Sequence, residues 1–232
     1  MHTNGSRNFF ALQIHKISLK MNSVLKTKIA VCGSKGVGKS AITVRYLTKR
    51  FISEYSSSND FLYKHDVTFE DNTIAEIEIL DASNQGNSFD QIRWGDSFIV
   101  VYSIVDRDSF KEAEKILKKV TKIKLPSYYT VLLLGNKNDL EHSREVAIKE
   151  GERLSYTYNC QFYETSAAES WLGVQLSFHY LFKEARAIYL QKHLPIRRKL
   201  GVNTVGVNFS KALGNIFGKT TKSDRKRPSL SI

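Results

Sequence analysis

One eight-residue segment constrains this chain more than any other. Residues 33–40 read GSKGVGKS, which satisfies the pattern G-x-x-x-x-G-K-[ST]. The segment follows an apolar run that ends at Cys32, and residues 39–48 have a composition typical of a helix. A strand, a glycine-rich loop and a helix in this order form the context that a phosphate-binding loop requires. The motif therefore predicts an α/β fold that holds a phosphorylated ligand.

The residue types of this loop suit a phosphate. Its three glycines allow backbone N–H groups to turn inward around phosphate oxygens at a helix N-terminus, where the helix dipole also favours an anion. Lys39 supplies positive charge to the outer phosphates, and the Ser40 hydroxyl is a hard-oxygen ligand for Mg²⁺. The alternative is a glycine-rich turn without a ligand. The residues expected to contact the phosphates are Gly33, Ser34, Lys35, Gly36, Val37, Gly38, Lys39, Ser40 and Ala41.

Apolar runs and helical patterns alternate along the middle of the chain. Buried strands are predicted at 28–32, 97–104, 130–134 and 161–165, and a hairpin at 64–69 and 73–80. Helices are predicted at 39–48 and along three apolar stripes: Phe110, Ala113, Leu117 and Val120; Ala147, Gly151, Leu154 and Tyr158; and Val174, Phe178, Leu181, Ala185 and Ile188. Strands separated by helices indicate a mostly parallel, doubly wound sheet of about six strands, to which the hairpin adds one antiparallel edge strand.

The net charge of +12 belongs to the ends of the chain rather than to its middle. Residues 1–24 hold three basic residues and no acidic one, and residues 192–232 carry a net charge of +9. Residues 25–191 hold 22 basic and 22 acidic residues. A neutral middle does not fit a folded domain that binds nucleic acid directly. We predict a globular domain at 25–191 between an N-terminal extension and a basic tail.

The sequence pattern predicts no stable membrane anchor. No apolar run reaches the roughly 20 residues of a membrane helix, and the first residues make no convincing signal peptide. The last four residues, 229–232, contain no cysteine, which argues against prenylation. Cys32 and Cys160 lie in separate apolar runs, which favours a reducing compartment over a disulfide framework. We expect a cytoplasmic location, with the nucleus as a further one through the basic run at 225–228.

Two interpretations of the basic tail stay open. An amphipathic stripe formed by Phe209, Leu213, Ile216 and Phe217 would dock on a membrane surface or on a partner. The alternative is a solvated tail without fixed structure. The role of residues 1–24, and whether Met21 is a second start, is likewise open.

A second motif follows a later strand. Asn136-Lys137-Asn138-Asp139 comes directly after the apolar run that ends at Gly135. A carboxylate at this position accepts two hydrogen bonds from adjacent donors, which guanine offers on its Watson–Crick edge and adenine does not. Alone, the tetrapeptide reads as an Asn/Asp-rich turn. Its place after Asp81 and before the segment 164–167, Glu-Thr-Ser-Ala, favours a guanine site instead.

With these motifs in order, residues 25–189 resemble the Ras superfamily of small GTPases. Within it, the segments 46–51 and 92–96 resemble the branch of Ras-related, estrogen-regulated growth inhibitor (RERG) proteins, and 82–85 and 208–218 resemble its RERG-like member. The resemblance implies a P-loop NTPase fold, bound GDP or GTP, Mg²⁺, and a monomeric regulatory switch. It also implies that effectors or regulators bind the switch regions at 52–63 and 81–95.

The resemblance further implies a role for each matching residue. Phe51 packs near the base, and Ser40, Ser58 and Asp81 hold Mg²⁺. Asn84 falls where an N–H meets the γ-phosphate, Gln85 orients the attacking water, and Lys39 stabilises the transferred charge. The residues that surround guanine are Asn136, Lys137, Asp139, Leu140, Ser166, Ala167 and Ala168.

Three departures from the family pattern bear on activity. Asn84 replaces the glycine on which the second switch pivots, so switching should be harder. Lys35 replaces a small residue of the phosphate loop, near the point where the arginine of an activating protein would enter. Its side chain would either obstruct that arginine or supply part of its positive charge. Ser58 replaces threonine and loses the methyl group that stiffens the side chain.

These departures leave two functions open. The first is a small GTPase that hydrolyses GTP slowly, with the catalytic roles of Gln85 and Lys39 retained. The second is a guanine-nucleotide-binding interaction module with little or no hydrolysis because of Asn84 and Lys35. A third class, an ATP-dependent phosphotransferase built on the same phosphate loop, would place adenine in the base pocket.

Overall fold

The computed structural model describes residues 25–52, 60–82, 88–125 and 127–193. Six strands lie within them: β1 Leu25–Cys32, β2 Phe61–Thr68, β3 Ile74–Asp81, β4 Ser97–Ser103, β5 Thr130–Asn136 and β6 Gln161–Glu164. The helices are α1 Lys39–Thr48, α2 Ser88–Trp94, α3 Arg107–Lys124, α4 Ile148–Tyr158 and α5 Trp171–His193. A short 3₁₀ helix spans Asn138–Ser143.

The strands form one sheet in the order β2-β3-β1-β4-β5-β6. β2 pairs antiparallel with β3, from Phe61 opposite Asp81 to Thr68 opposite Ile74. Every other pairing is parallel. The α/β, mostly parallel sheet with one antiparallel edge strand is therefore confirmed.

Alternate residues of the central strands feed two separate cores. On one face, Ile29, Val31, Ile99 and Val101 pack with residues of α1 and α5. On the other face, Ala30 and Val100 pack with residues of α2, α3 and α4. Burial on both faces explains why these strands read as continuous apolar runs rather than as alternating ones.

This arrangement brings the carboxyl ends of β1, β4 and β5 to one edge of the sheet. Their last residues are Cys32, Ser103 and Asn136, and the chain leaves each strand there to enter a loop or a helix. In parallel α/β sheets this edge is where ligands bind. Both sequence motifs, at 33–40 and at 136–139, start at this edge.

Two short elements are absent from the sequence expectations. α2 has seven residues and buries Gln91 and Ile92, too few positions to establish a helical period. The 3₁₀ helix at Asn138–Ser143 buries no residue at all, so no apolar pattern marks it. Neither element therefore carries the repeated apolar pattern by which a helix is predicted from sequence.

No helix in the described ranges is long and apolar enough to cross a membrane. The tail stripe at Phe209 to Phe217 and the N-terminal extension lie outside the described residues, so both stay predictions, as does the domain division at 25 and 191.

Candidate functional site

The loop after β1 ends in a helix whose first turn is open to a ligand. Gly38 occupies the N-cap position of α1 with a φ of 96°, and it brings no side chain to the cap. The first turn also contains no acidic residue. The N–H groups of a first helical turn have no partners inside the helix. An anion at this position would meet these N–H groups and the positive end of the helix dipole.

Close packing fixes the path of the loop. A Cβ atom added at Gly33 would lie closer than 3.0 Å to the Val101 carbonyl oxygen of β4. A Cβ atom added at Gly38 would lie closer than 3.0 Å to the side-chain nitrogen of Asn136. The first and the last glycine of the motif are therefore required by neighbouring strands as well as by backbone conformation.

Lys39 is folded over its own loop. Its Nζ atom donates hydrogen bonds to the carbonyl oxygens of Gly33, at 2.9 Å, and of Ser34, at 3.0 Å. Burial lowers the pKa of this lysine, and the nearby Asp81 carboxylate opposes that effect. The ammonium group is thus held inside the concave side of the loop, where the phosphates of a nucleotide would lie.

The end of β3 brings a buried carboxylate to the same place. Asp81 is 3% exposed, and among the described residues neither of its carboxylate oxygens has a hydrogen-bond partner of normal geometry. Burial raises the pKa of Asp81, while the neighbouring Ser40 hydroxyl and the Lys39 charge lower it. A buried carboxylate without a partner is costly unless a ligand or ion completes it.

The Ser40 hydroxyl and the Asp81 carboxylate fit Mg²⁺. The ion takes hard oxygen ligands and is usually held by one or two carboxylates together with substrate phosphates and water. Within the described ranges, no group of three or more His, Cys, Asp or Glu side chains could hold a metal by itself. Ser40 and Asp81 would therefore bind the ion jointly with a nucleotide. Ser58, the third expected ligand, lies outside the described residues.

Asn136, the last residue of β5, joins the two halves of the site. Its side-chain nitrogen donates to the Val37 carbonyl oxygen at 2.8 Å, and its side-chain oxygen accepts from the Ala167 N–H at 3.1 Å. The residue is 2% exposed. The sequence predicted Asn136 as a neighbour of guanine, and its bond to the phosphate loop had no sequence signal.

Two loops contain the residues that are expected to surround the base: the loop at 137–140 and the loop at 166–168. The first has a residue with strained backbone, and in the second a side chain caps a backbone N–H. Lys137 adopts a φ of 68°, in the left-handed region that non-glycine residues rarely occupy. Asp139 is exposed and Leu140 is half-buried on the 3₁₀ helix that follows. In the second loop, the Ser166 hydroxyl accepts from the Ala168 N–H at 3.1 Å. Strained conformations of this kind concentrate at ligand sites.

Of the remaining expected residues that the structure describes, Phe51 is not brought into this arrangement. Phe51 is 44% exposed, and it makes no hydrogen bond or ring contact within the described part of the chain. Asn84 and Gln85 lie outside the described residues, as does Ser58. Lys35 and Gly36 are exposed at the tip of the phosphate loop. Ala41 is buried in the first turn of α1.

Comparison with known proteins shows what this chain is similar to. A family model described as "Ras family" matches residues 28–187. The Homo sapiens protein "Ras-related and estrogen-regulated growth inhibitor" is 42% identical over 164 residues, which cover 69% of this chain and 82% of that protein. The Bos taurus protein "Ras-related and estrogen-regulated growth inhibitor-like protein" is 37% identical over 213 residues, 88% of this chain and 100% of that protein. The Mus musculus "GTP-binding protein Rit2" is 36% identical over 163 residues, 68% and 74% of the two chains.

Proposed function

This chain belongs to the Ras family, and from that membership we propose that it binds GDP and GTP together with Mg²⁺ and acts as a regulatory switch with slow GTP hydrolysis. Its relatives support a GTP-binding regulatory GTPase in general. The resemblance to RERG and RERG-like proteins is confirmed. The metal, the rate of hydrolysis and the site residues are our proposal.

One observation carries the proposal: Asn136 bonds at once to the phosphate loop and to the loop of Ala167. A side chain that spans both loops fixes the distance between a phosphate site and a base site. A nucleotide is the ligand that carries both groups at a fixed separation. The exposed Asp139 then supplies the carboxylate for the guanine edge.

The residues of the site divide the chemistry between them. The N–H groups at the start of α1 and the Lys39 ammonium bind the phosphates and stabilise charge on the transferred group. Ser40, Ser58 and Asp81 would hold Mg²⁺, which supplies charge neutralisation at the phosphates when bound. Gln85 would orient the attacking water. Lys137, Leu140, Ser166 and Ala168 would surround the base with Phe51 nearby.

The second candidate function is a guanine-nucleotide-binding interaction module with little hydrolysis. The substitution that favours it is Asn84, which puts a side chain where the family has glycine. That side chain has to fit beside the γ-phosphate for the switch to close. Lys35 acts in the same direction if it obstructs an activating arginine from a partner.

Single-turnover hydrolysis separates the two functions. Purified full chain is loaded with GTP, and conversion to GDP is followed by chromatography for the wild type and for Asn84→Gly. We expect measurable wild-type turnover, and an increase of about tenfold in Asn84→Gly, which corresponds to about 1.4 kcal/mol of activation free energy. Wild-type conversion no faster than in buffer, with stably bound GTP, would leave only the second function.

A matched control tests whether the increase is local. Asn72 is an asparagine at positive φ, 60°, in the turn between β2 and β3. Asn72→Gly keeps that backbone conformation and should leave the hydrolysis rate unchanged.

Mass spectrometry of the nucleotide released from the purified protein tests which base the site binds. Release of ATP instead of GDP or GTP would overturn the guanine assignment and the role of Asp139.

Two further parts of the proposal concern surroundings. We propose that effectors or regulators bind the switch regions at 52–63 and 81–95 of a monomeric protein. We also propose a cytoplasmic location, with the nucleus as a further one. Both described cysteines, Cys32 and Cys160, are free and buried, which suits a reducing compartment.

A further inference from the structure

A groove lies between α2 and the carboxyl end of α3, away from the nucleotide loops. Its volume is about 710 Å³, within the range of sites that bind ligands. Lys124 donates a hydrogen bond to the Arg93 carbonyl oxygen at 3.0 Å and so ties the two helices together at the groove. Besides Ser127, the residues that line it are Phe89, Arg93, Lys119, Lys122, Ile123 and Lys124.

The lining combines one sign of charge with two apolar side chains. Four of these six residues are basic, and no acidic side chain lines the groove in the described structure. Phe89 is 46% exposed, and the Arg93 guanidinium lies 5.6 Å from the centre of its ring. Lys119 and Lys122 are exposed and form no ion pair within the described residues. The groove is therefore positive around a hydrophobic strip.

This charge is a local concentration and not a property of the whole domain. Residues 25–191 are neutral overall, yet residues 115–124 contain five lysines and no acid. Lysines in the last turn of a helix are favoured by its dipole, which accounts for Lys122 and Lys124. The dipole of α2 favours Arg93 in the same way, because Arg93 lies in the last turn of that helix on the opposite wall. Of the four basic residues that line the groove, Lys119, further back on α3, is the one that no helix dipole explains.

We propose that this groove binds an acidic, amphipathic helical segment of a partner protein. Carboxylates of the segment would pair with Arg93, Lys119 and Lys122, and an apolar side chain would pack on Phe89 and Ile123. The proposal gives a chemistry to the partner binding proposed above for residues 81–95, and it rests on that part of the proposed function. It does not require hydrolysis of GTP.

Charge and shape select this occupant over two others. The tail at 192–232 carries a net charge of +9, so the groove would repel it. A layer of anionic lipid headgroups is flat and would leave the concave space between two helices unfilled. An acidic helix with an apolar stripe matches both the charge of the groove and the two apolar side chains in its lining.

Fluorescence anisotropy with a defined probe tests the proposal. The probe is a labelled, glutamate-rich helical peptide of about 14 residues with two leucines four positions apart. We expect the full-length wild-type protein to bind it, with an affinity that falls as salt rises. Replacement of the probe's leucines by serine should weaken binding about fivefold, because their apolar surface is no longer buried.

Two charge-matched variants of the protein locate the binding. Lys119→Glu/Lys122→Glu reverses charge in the groove, and Lys115→Glu/Lys118→Glu reverses the same charge on the same helix outside the lining. We expect a loss of at least about tenfold in the first pair and less than about threefold in the second. Equal losses in both would overturn the proposal in favour of diffuse attraction.

Two other results would also overturn it. One is no binding of the probe by the wild type beyond that of a peptide with lysine in place of glutamate. The other is binding of phosphatidylserine vesicles, lost in the groove variant, without binding of the peptide. Affinity for a fluorescent GDP analogue is measured on each sample. If the protein binds GDP normally but does not bind the peptide, the groove proposal is wrong and the proposed nucleotide site stands. If it binds the peptide but not GDP, the proposed nucleotide site is wrong and the groove proposal stands.

Discussion

The side-chain nitrogen of Asn136 lies 2.8 Å from the carbonyl oxygen of Val37. This hydrogen bond connects the end of β5 to a loop 99 residues earlier in the chain. Since the same side chain also accepts from the Ala167 N–H, one residue holds three segments in register. The shape of the nucleotide site thus depends on a residue that belongs to the sheet.

Asn136→Ala should therefore loosen both loops at once. The change leaves the Val37 carbonyl and the Ala167 N–H without their partner, and each buried unsatisfied group costs about 1–3 kcal/mol. We expect release of a fluorescent GDP analogue to accelerate more than about tenfold, and the free energy of unfolding to fall by about 2–4 kcal/mol. The adjacent Asn138→Ala is the control. Equal effects of the two changes would contradict the linking role of Asn136.

Gly38→Ala and Gly36→Ala form a second test. Both glycines have positive φ, 96° and 83°, so both changes cost backbone strain of order 1 kcal/mol. Only at Gly38 would the new Cβ approach Asn136, closer than 3.0 Å; at Gly36 nothing lies within 4 Å. We expect GDP affinity, measured by titration calorimetry, to fall far more in Gly38→Ala. Similar affinities in the two variants would argue against the contact.

Gly151→Ala should destabilise the protein although it improves a helix. Alanine is favoured over glycine inside a helix by about 1 kcal/mol. At this position of α4, however, a Cβ would lie closer than 3.0 Å to the Phe162 ring and to the Tyr102 hydroxyl, and overpacking costs about 1–3 kcal/mol. Urea denaturation should show a net loss of about 1 kcal/mol. Glu152→Ala, at an exposed site in the same helix, should show no loss.

Glu184 makes stability depend on pH. Burial raises the pKa of this carboxyl from 4.5 to about 7, although its carboxylate accepts a hydrogen bond from the Gln161 side chain at 2.6 Å. Between these values the folded protein keeps a proton that the unfolded chain has lost. The free energy of unfolding therefore decreases as pH rises from about 4.5 to about 7.

Glu184→Gln removes that dependence. The amide oxygen still accepts from Gln161, and no charge has to be buried above pH 7. We expect the variant to be more stable than the wild type by about 1–3 kcal/mol at pH 8, and by little at pH 5. Denaturant titrations at both pH values measure this, with Glu152→Gln as an exposed control. Parallel stability curves for wild type and Glu184→Gln would contradict the prediction.

Much of the fold follows from the sequence because its strands are short, apolar and separated by helices. The stripe that includes Leu117 and Val120 predicted α3, and both residues are buried. Ile74 does not share a face with Ile77 and Ile79, and the structure explains this: Ile74 is 52% exposed at the start of β3 while the other two are buried. Helix α2 could not be predicted, because it buries only one apolar side chain, Ile92.

Some features of the site could be predicted from the sequence and others could not. The phosphate loop could be predicted because its residues are adjacent in the sequence and have a fixed spacing. The link from Asn136 to Val37 is not legible, since it uses a backbone carbonyl that any residue would provide. The position of Lys39 over the carbonyls of Gly33 and Ser34 is equally invisible in the sequence. The motifs therefore predict which residues belong to the site, but the hydrogen bonds that those residues make depend on the fold.

The folded-over position of Lys39 bears on how a ligand arrives. Its ammonium group donates to the carbonyl oxygens of Gly33 and Ser34, and because an ammonium group has three N–H donors, it can donate to these two carbonyls and to a phosphate oxygen at once. The two bonds to the loop need not break when a phosphate binds. They tie the start of the loop to its last lysine, and would therefore hold the loop in shape while one nucleotide is replaced by another.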